Sequence, residues 1–245
     1  MNTKFLILLT ICVWLVSGPV YAENTNKTVL ELNYHGYTVW LDCKERGPVR
    51  FEYKISKDTG NLARKASFLL DPKVPLYCQQ TSTKTYKEKG QRFDRGHLVP
   101  ANHLDHSKIA IRTSQFMTNI TPQRANMNRG AWYRTEVITD CYRDIEDLYV
   151  TGGVIFGDDA FDDYFINSHG IRTPSAFWKV ISRSDRVIAW LIPNESTATW
   201  KHLDNYLITI DELEAITGQR IDVQDHLRGT KPETSWIAPK GCDRS

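Results

Sequence analysis

Asp94-Arg95-Gly96-His97, then Asn119-Ile120-Thr121-Pro122-Gln123, then Asn128-Arg129-Gly130-Ala131-Trp132 form the stretch on which the reading of this chain turns. It brings a proton acceptor, an amide oxygen and several cations into one segment. Histidine, with an unperturbed pKa of about 6.5, can take a proton from water near neutral pH. The Asn128 amide oxygen is a hard donor of the kind magnesium accepts, and magnesium takes few protein ligands while keeping several waters. Arg95 offers a guanidinium fork to phosphate, and Gly96 lets the backbone take an unusual path that presents the His97 ring. Such a set suits hydrolysis of a phosphodiester, in which water loses a proton while charge builds on phosphate and leaving oxygen.

Each residue alone has a plainer explanation. His97 can be a satisfied core histidine, Asn128 a surface amide, Glu136 an exposed helix carboxylate and Asn119 the start of a turn. Their occurrence together is what points to chemistry. A competing arrangement gathers His97, His103 and His106 around zinc, with Asp105 as a fourth ligand or a helix cap. Those intervals match no zinc pattern, and they leave the downstream asparagines without a role.

Outward from this stretch, Met127, Ala131, Ile138, Cys141 and Ile145 fall near one face of a 3.6-residue period, which predicts a helix packed on a sheet. Asn128, Trp132 and Glu136 recur at steps of four and predict an adjacent stripe. Gly130 weakens that helix by about 1 kcal/mol relative to alanine. Residues 28–34, 37–42 and 49–56, and later 148–156, 176–182 and 187–193, read as strands separated by turn residues. A further helix is expected from a cap at Asp211 to its end at Gly218. Strands mixed with helices, without regular βαβ alternation, predict an α+β fold with a central, mainly antiparallel sheet. No linker, repeat or low-complexity run divides the chain, so residues 23–245 are expected to form one domain.

Residues 1–22 open with Lys4, continue through an apolar run and close on Val20-Tyr21-Ala22, the pattern of a cleaved secretory signal peptide. The apolar run falls short of the roughly 18 residues a membrane span needs, so the mature form is expected to lack one and to be secreted or periplasmic. Cleavage would remove Cys12 and leave Cys43, Cys78, Cys141 and Cys242, for which an oxidising compartment predicts two disulfides in any of three pairings. Asn26-Lys27-Thr28 and Asn194-Glu195-Ser196 are triplets of the glycosylation type.

Of the chain's 31 Lys and Arg, Lys4 lies in the leader, which leaves 30 against 29 Asp and Glu. Whole-molecule charge therefore cannot attract a polyanion, and any nucleic-acid site must be local. Between residues 107 and 135 there are Lys108, Arg112, Arg124, Arg129 and Arg134 and no carboxylate. Lys84, Lys87, Lys89, Arg92 and Arg95 lie just upstream, whereas residues 140–163 are rich in acids.

The three quoted motifs, together with Glu136, resemble the DNA/RNA non-specific endonuclease family of ββα-metal, or His-Me finger, nucleases. The resemblance extends to residues 53–59 and 173–180, and so covers most of the mature chain. It implies a ββα-metal active-site motif in which His97 activates water and Asn128 ligates magnesium, with manganese as a substitute. Glu136 would position metal-bound water, Asn119 would support the active loop, and Arg64 or Arg95 would stabilise phosphate charge. The products would be 5'-phosphate and 3'-hydroxyl ends of DNA and RNA, bound through the sugar-phosphate backbone. Family members can carry another arginine where this chain has Asp140, and neither Arg134 nor Arg143 occupies that position. Two other functions fit the composition: a phosphodiesterase of small nucleotides, and a secreted nucleic-acid-binding module without turnover.

Overall fold

The computed structural model describes residues 28–64 and 67–242. The expected signal peptide lies outside the described residues, as does Asn26. Among the described residues nine strands build two sheets. Strands β1 (Val29–Tyr34), β2 (Tyr37–Asp42) and β3 (Gly47–Ile55) form a meander. Strands β4 (Lys87–Glu88), β5 (Gln91–His97) and β6 (Ile120–Arg124) form a small three-stranded sheet of their own. Strands β7 (Leu148–Phe156), β8 (Pro174–Arg183) and β9 (Arg186–Pro193) complete the large sheet, whose order is β1-β2-β3-β7-β8-β9. Every adjacent pair is antiparallel. The fold is α+β, as the sequence pattern predicts.

Strand β8 shows why the centre of the large sheet holds. Phe177 and Ile181 enter one core with Phe51, Trp132 and Ile138, while Trp178 and Val180 enter a second core with Ile210 and Leu213. A strand covered on both faces reads as a nearly continuous apolar run, which is what residues 176–181 are. Two helices precede the elements that cover these faces: α1 (Lys108–Ser114), capped by Ser107, and α2 (Ala125–Met127). From α2 the chain passes through a π-turn (Asn128–Trp132) into α3 (Tyr133–Arg143), so that one helical rod crosses the first face. The single turn α4 (Ile166–His169) follows, and α5 (Ile210–Thr217) covers the second face.

Met127, Ala131, Ile138 and Cys141 are buried on the rod's inner face as expected, but Ile145 lies beyond the helix end and is exposed. The π-turn also overturns the expected stripe. Its extra residue rotates the helix, so Trp132 drops fully into the core while Asn128 and Glu136 border a cleft. Gly130 is explained by the same turn. A Cβ there would lie 2.9 Å from Thr199 Cα, and the neighbouring Ala131 N–H donates to the Ala198 carbonyl. The last helix is capped by Thr209, not Asp211. Thr209 and Glu212 form a reciprocal capping box, and Asp211 pairs instead with Arg228 at 3.0 Å.

The disulfides are Cys43–Cys78 and Cys141–Cys242. The second ties the C-terminal segment to α3 across 101 residues. Asn194 joins three strands: its amide nitrogen donates to the carbonyls of Pro122 and Pro174, and its oxygen accepts from the Arg124 N–H. Among the described residues no helix is long and apolar enough to cross a membrane.

Candidate active site

Strands β5 and β6 pair with His97 opposite Ile120 and Gly96 opposite Thr121, and β6 runs directly into the helical rod. Gly96 lies in regular strand with no left-handed backbone, contrary to the expected unusual path. What it supplies is room: a Cβ there would lie 2.1 Å from the Gln123 side chain. His97 ends the strand, and its carbonyl accepts a hydrogen bond of 3.1 Å from the Trp132 indole. That bond fastens strand to helix at the point where both supply a side chain to one cleft.

The cleft has a volume of about 630 Å³, and its walls include Arg64, Arg95, His97, Asn128, Arg129 and Glu136. His97 is 9% exposed, and its ring leans on Phe68 with centroids 5.6 Å apart. Burial, reinforced by the Arg64 charge, pulls its pKa down to about 3; a hydrogen bond with Gln115 opposes the shift and Arg95 adds to it. The ring is therefore neutral near pH 7, the form that accepts a proton. Its Nε2 lies 3.2 Å from the Gln115 amide nitrogen, and the buried Gln115 Oε1 has no partner among the described residues. Turning that amide pairs Oε1 with an Nε2–H and leaves Nδ1 as the acceptor, since oxygen and nitrogen of an amide exchange places without altering its shape.

Asn128 starts the π-turn. Its Nδ2 donates to Asp94 Oδ2 at 3.0 Å, which leaves its Oδ1 without a partner among the described residues beside the cleft. Asp94 is itself held by Arg129 through two bonds, Nε to Oδ2 at 2.8 Å and Nη2 to Oδ1 at 2.6 Å. Burial raises the Glu136 pKa, with Lys179 opposing, Asp140 reinforcing and Arg64 opposing. Lys179, fully buried on β8, lies with its Nζ 3.8 Å over the Trp132 ring, and burial lowers its pKa against the pull of Glu136. One unpartnered hard oxygen, with a carboxylate on the same wall, fits a cation that retains most of its water.

Three of the expected site residues act at one remove or along the wall. Asn119 is fully buried, accepts from the Val99 N–H and donates to the carbonyls of Val99 and Ser114; it secures the chain after His97 and does not face the cleft. Arg95 lies 4.0 Å over the Phe68 ring and donates to the Thr83 carbonyl. Arg64 stands nearby, its pKa lowered by burial, held up by Glu136 and lowered further by Arg95.

The place of the missing family arginine is filled by a different arrangement. Asp140 is buried within 3.0 Å of His103 Nε2 and 3.7 Å of Arg143, which is also bonded to Asp58. Arg134 faces Asp204 at 3.6 Å. Neither arginine lines the cleft. The three-histidine arrangement does not form either: His103 is taken by Tyr53 and Asp140, and His106 packs near His35. Among the described residues no three His, Cys, Asp or Glu side chains gather as a metal site.

Three contributors escaped the sequence pattern: Gln115, the Asp94–Arg129 pair and Lys179. Asp94 and Arg129 stand inside the quoted motifs, but nothing in their spacing announces that they pair across 35 positions. Gln115 and Lys179 carry no sequence signal of this kind.

A histidine on a hairpin and an asparagine on the helix that follows, facing one cleft, make a ββα unit of the ββα-metal nuclease class. The chain belongs to the DNA/RNA non-specific endonuclease family, whose profile matches residues 16–229. A nuclease of Serratia marcescens is 28% identical over 220 residues, spanning 81% of this chain and 80% of that protein. Mitochondrial nuclease EXOG of Xenopus laevis is 26% identical, spanning 72% of this chain, and this chain spans only 53% of that relative's length. Human mitochondrial endonuclease G is 24% identical over 63% of this chain and 56% of its own. The fold is shared with EndoG in a solved EndoG/EndoGI complex that concerns EndoG inhibition. The TM-score is 0.68 at 18% identity, covering 83% of this chain and 90% of that one.

Proposed function

We propose that this chain is a metal-dependent endonuclease that hydrolyses internal phosphodiester bonds of both DNA and RNA. The observation that carries the reading is the convergence of His97 and Asn128 on one cleft, fastened by the Trp132–His97 and Asn128–Asp94 bonds. The Asn128 Oδ1 is the protein atom that would hold magnesium or manganese, with Glu136 fixing its waters. When bound, that cation supplies Lewis-acid neutralisation of the phosphate and the leaving oxygen.

His97 accepts the proton of the attacking water at Nδ1 while Gln115 holds Nε2, so Gln115 is a positioning residue. Attack on phosphorus with departure of the 3' oxygen leaves 5'-phosphate and 3'-hydroxyl ends. Arg64 and Arg95 meet the charge that develops on the phosphate oxygens. Asn119 keeps the segment behind His97 in place. Contacts of this kind reach phosphate and carry little sequence information, which supports broad action on either sugar. The leader pattern and the two disulfides support residues 23–245 as one domain working in a secreted or periplasmic setting.

Plasmid incubated with magnesium, with chelator, and with the Asn128→Ala variant tests this reading. Nicking is expected only in the first case, with the variant folded but inactive. A folded variant with an ordinary magnesium titration contradicts the role of Asn128, and intact plasmid under every condition contradicts the activity itself.

A further inference from the structure

The β4–β5 hairpin carries positive charge that its own packing does not use. Lys87 stands directly opposite Arg92 in the antiparallel register. Side chains so placed have roots about 5 Å apart, and like charges there destabilise the ladder. Lys87, Arg92 and the turn residue Lys89 are all exposed, and none forms a side-chain hydrogen bond or ion pair with any described residue. Elsewhere Arg134, Arg172 and Arg228 each face a carboxylate.

A groove of about 520 Å³ runs along this hairpin, and Asp94 and Arg129 at its end also line the cleft of His97 and Asn128. The groove and the cleft therefore share a wall. Asp94 is already met by Arg129, so the hairpin cations confront only one other carboxylate in the groove, Glu88. Along β5, residues two apart lie on one face, so Arg92 and Asp94 are about 7 Å apart. Arg92 and His97 are five residues apart on the same strand, about 17 Å, which is longer than one phosphodiester step.

We propose that Lys87, Lys89 and Arg92 form an outlying phosphate subsite, which holds the polynucleotide backbone a few nucleotides from the bond that is cut. The proposal rests on the phosphodiester reading of the cleft and adds a substrate length to it. A chain that reaches the hairpin is held there, and a dinucleotide is not. Phosphate between Lys87 and Arg92 removes a repulsion that the free protein bears.

The test is the double variant Lys87→Gln with Arg92→Gln, compared with the unaltered chain on long single-stranded DNA and on a dinucleotide. For the polymer at low salt, kcat/KM falls by about tenfold. Its log–log dependence on salt becomes shallower by about 1.4, or 0.7 for each lost contact on a single strand. Dinucleotide turnover changes by less than about twofold, and the melting midpoint stays or rises, because removing opposed like charges relieves the ladder. Equal losses on both substrates, or an unchanged salt slope, overturn the subsite. Binding of a short fluorescent DNA strand in chelator separates the two readings. A weaker variant supports the groove independently of turnover, and equal binding by both proteins overturns it. Failure of the unaltered chain to cut anything overturns the reading of the cleft instead.

Discussion

The helical rod separates two ways of holding charge. Behind it, Asp140, Arg143 and His103 lie buried and, with the half-buried Asp58, answer one another. In front, His97 sits beside two arginines, Asn128 offers a bare oxygen, and Arg64 and Arg95 have no carboxylate partner bonded to them among the described residues. Buried charges must be compensated within the fold, because taking them from water costs several kcal/mol per ion. Charges at the cleft are left to be compensated by what enters it. The rear network stabilises the scaffold, and the front is incomplete without substrate.

The contrast is broken most sharply at His97. His97→Ala is expected to lower turnover by about 10²- to 10⁴-fold, the usual worth of a positioned base. The same variant exposes a pH signature. An imidazole held neutral in the fold binds its proton more weakly than in the unfolded chain, so its contribution to stability is complete above about pH 6.5. That contribution is lost as pH falls toward about 3. Urea denaturation of the two proteins should therefore converge across that window, and parallel stability curves would contradict it.

At the rear, Arg143→Met leaves the buried Asp140 and the half-buried Asp58 without their cation and is expected to cost about 3–5 kcal/mol. Activity per folded molecule should persist, measured by active-site titration after a stability scan. A stable but inactive variant would place Arg143 at the front after all. Replacing Cys141 and Cys242 by serine opens a loop of 101 residues, against 35 for Cys43–Cys78. The expected cost is about 2–5 kcal/mol, larger than for the shorter loop, because a longer closed loop restricts the unfolded chain more. Chemical denaturation of both double variants checks the order. The smallest change is Gln115→Leu, expected to reduce turnover by about ten- to a hundredfold and to shift its pH profile, since the imidazole loses the group that fixes its tautomer. A lower rate with an unmoved profile would make Gln115 structural only.

The six strands of the large sheet and the rod are legible in the sequence because each repeats apolar residues at its own period. Strands β5 and β6 are not, since β6 is short, carries Pro122 and is buried at four of its five positions. The π-turn is equally silent: one inserted residue shifts the phase without disturbing the apolar spacing that signals a helix. Thr209 and Glu212 do carry a readable capping box, but the neighbouring Asp211 is the more obvious cap. At the site, His97, Asn128 and Glu136 stand out by residue type and order. Gln115 and Lys179 become visible only once a loop and a remote strand are folded against the ring and the helix.

Asn194 has a bearing on how the protein can be made. Its amide serves three backbone groups inside the fold, although it heads a triplet that sugar-adding enzymes accept. A glycan on that nitrogen would occupy the space and the hydrogens those carbonyls require, so decoration at this position and the native packing exclude each other. A production host lacking that machinery avoids the conflict.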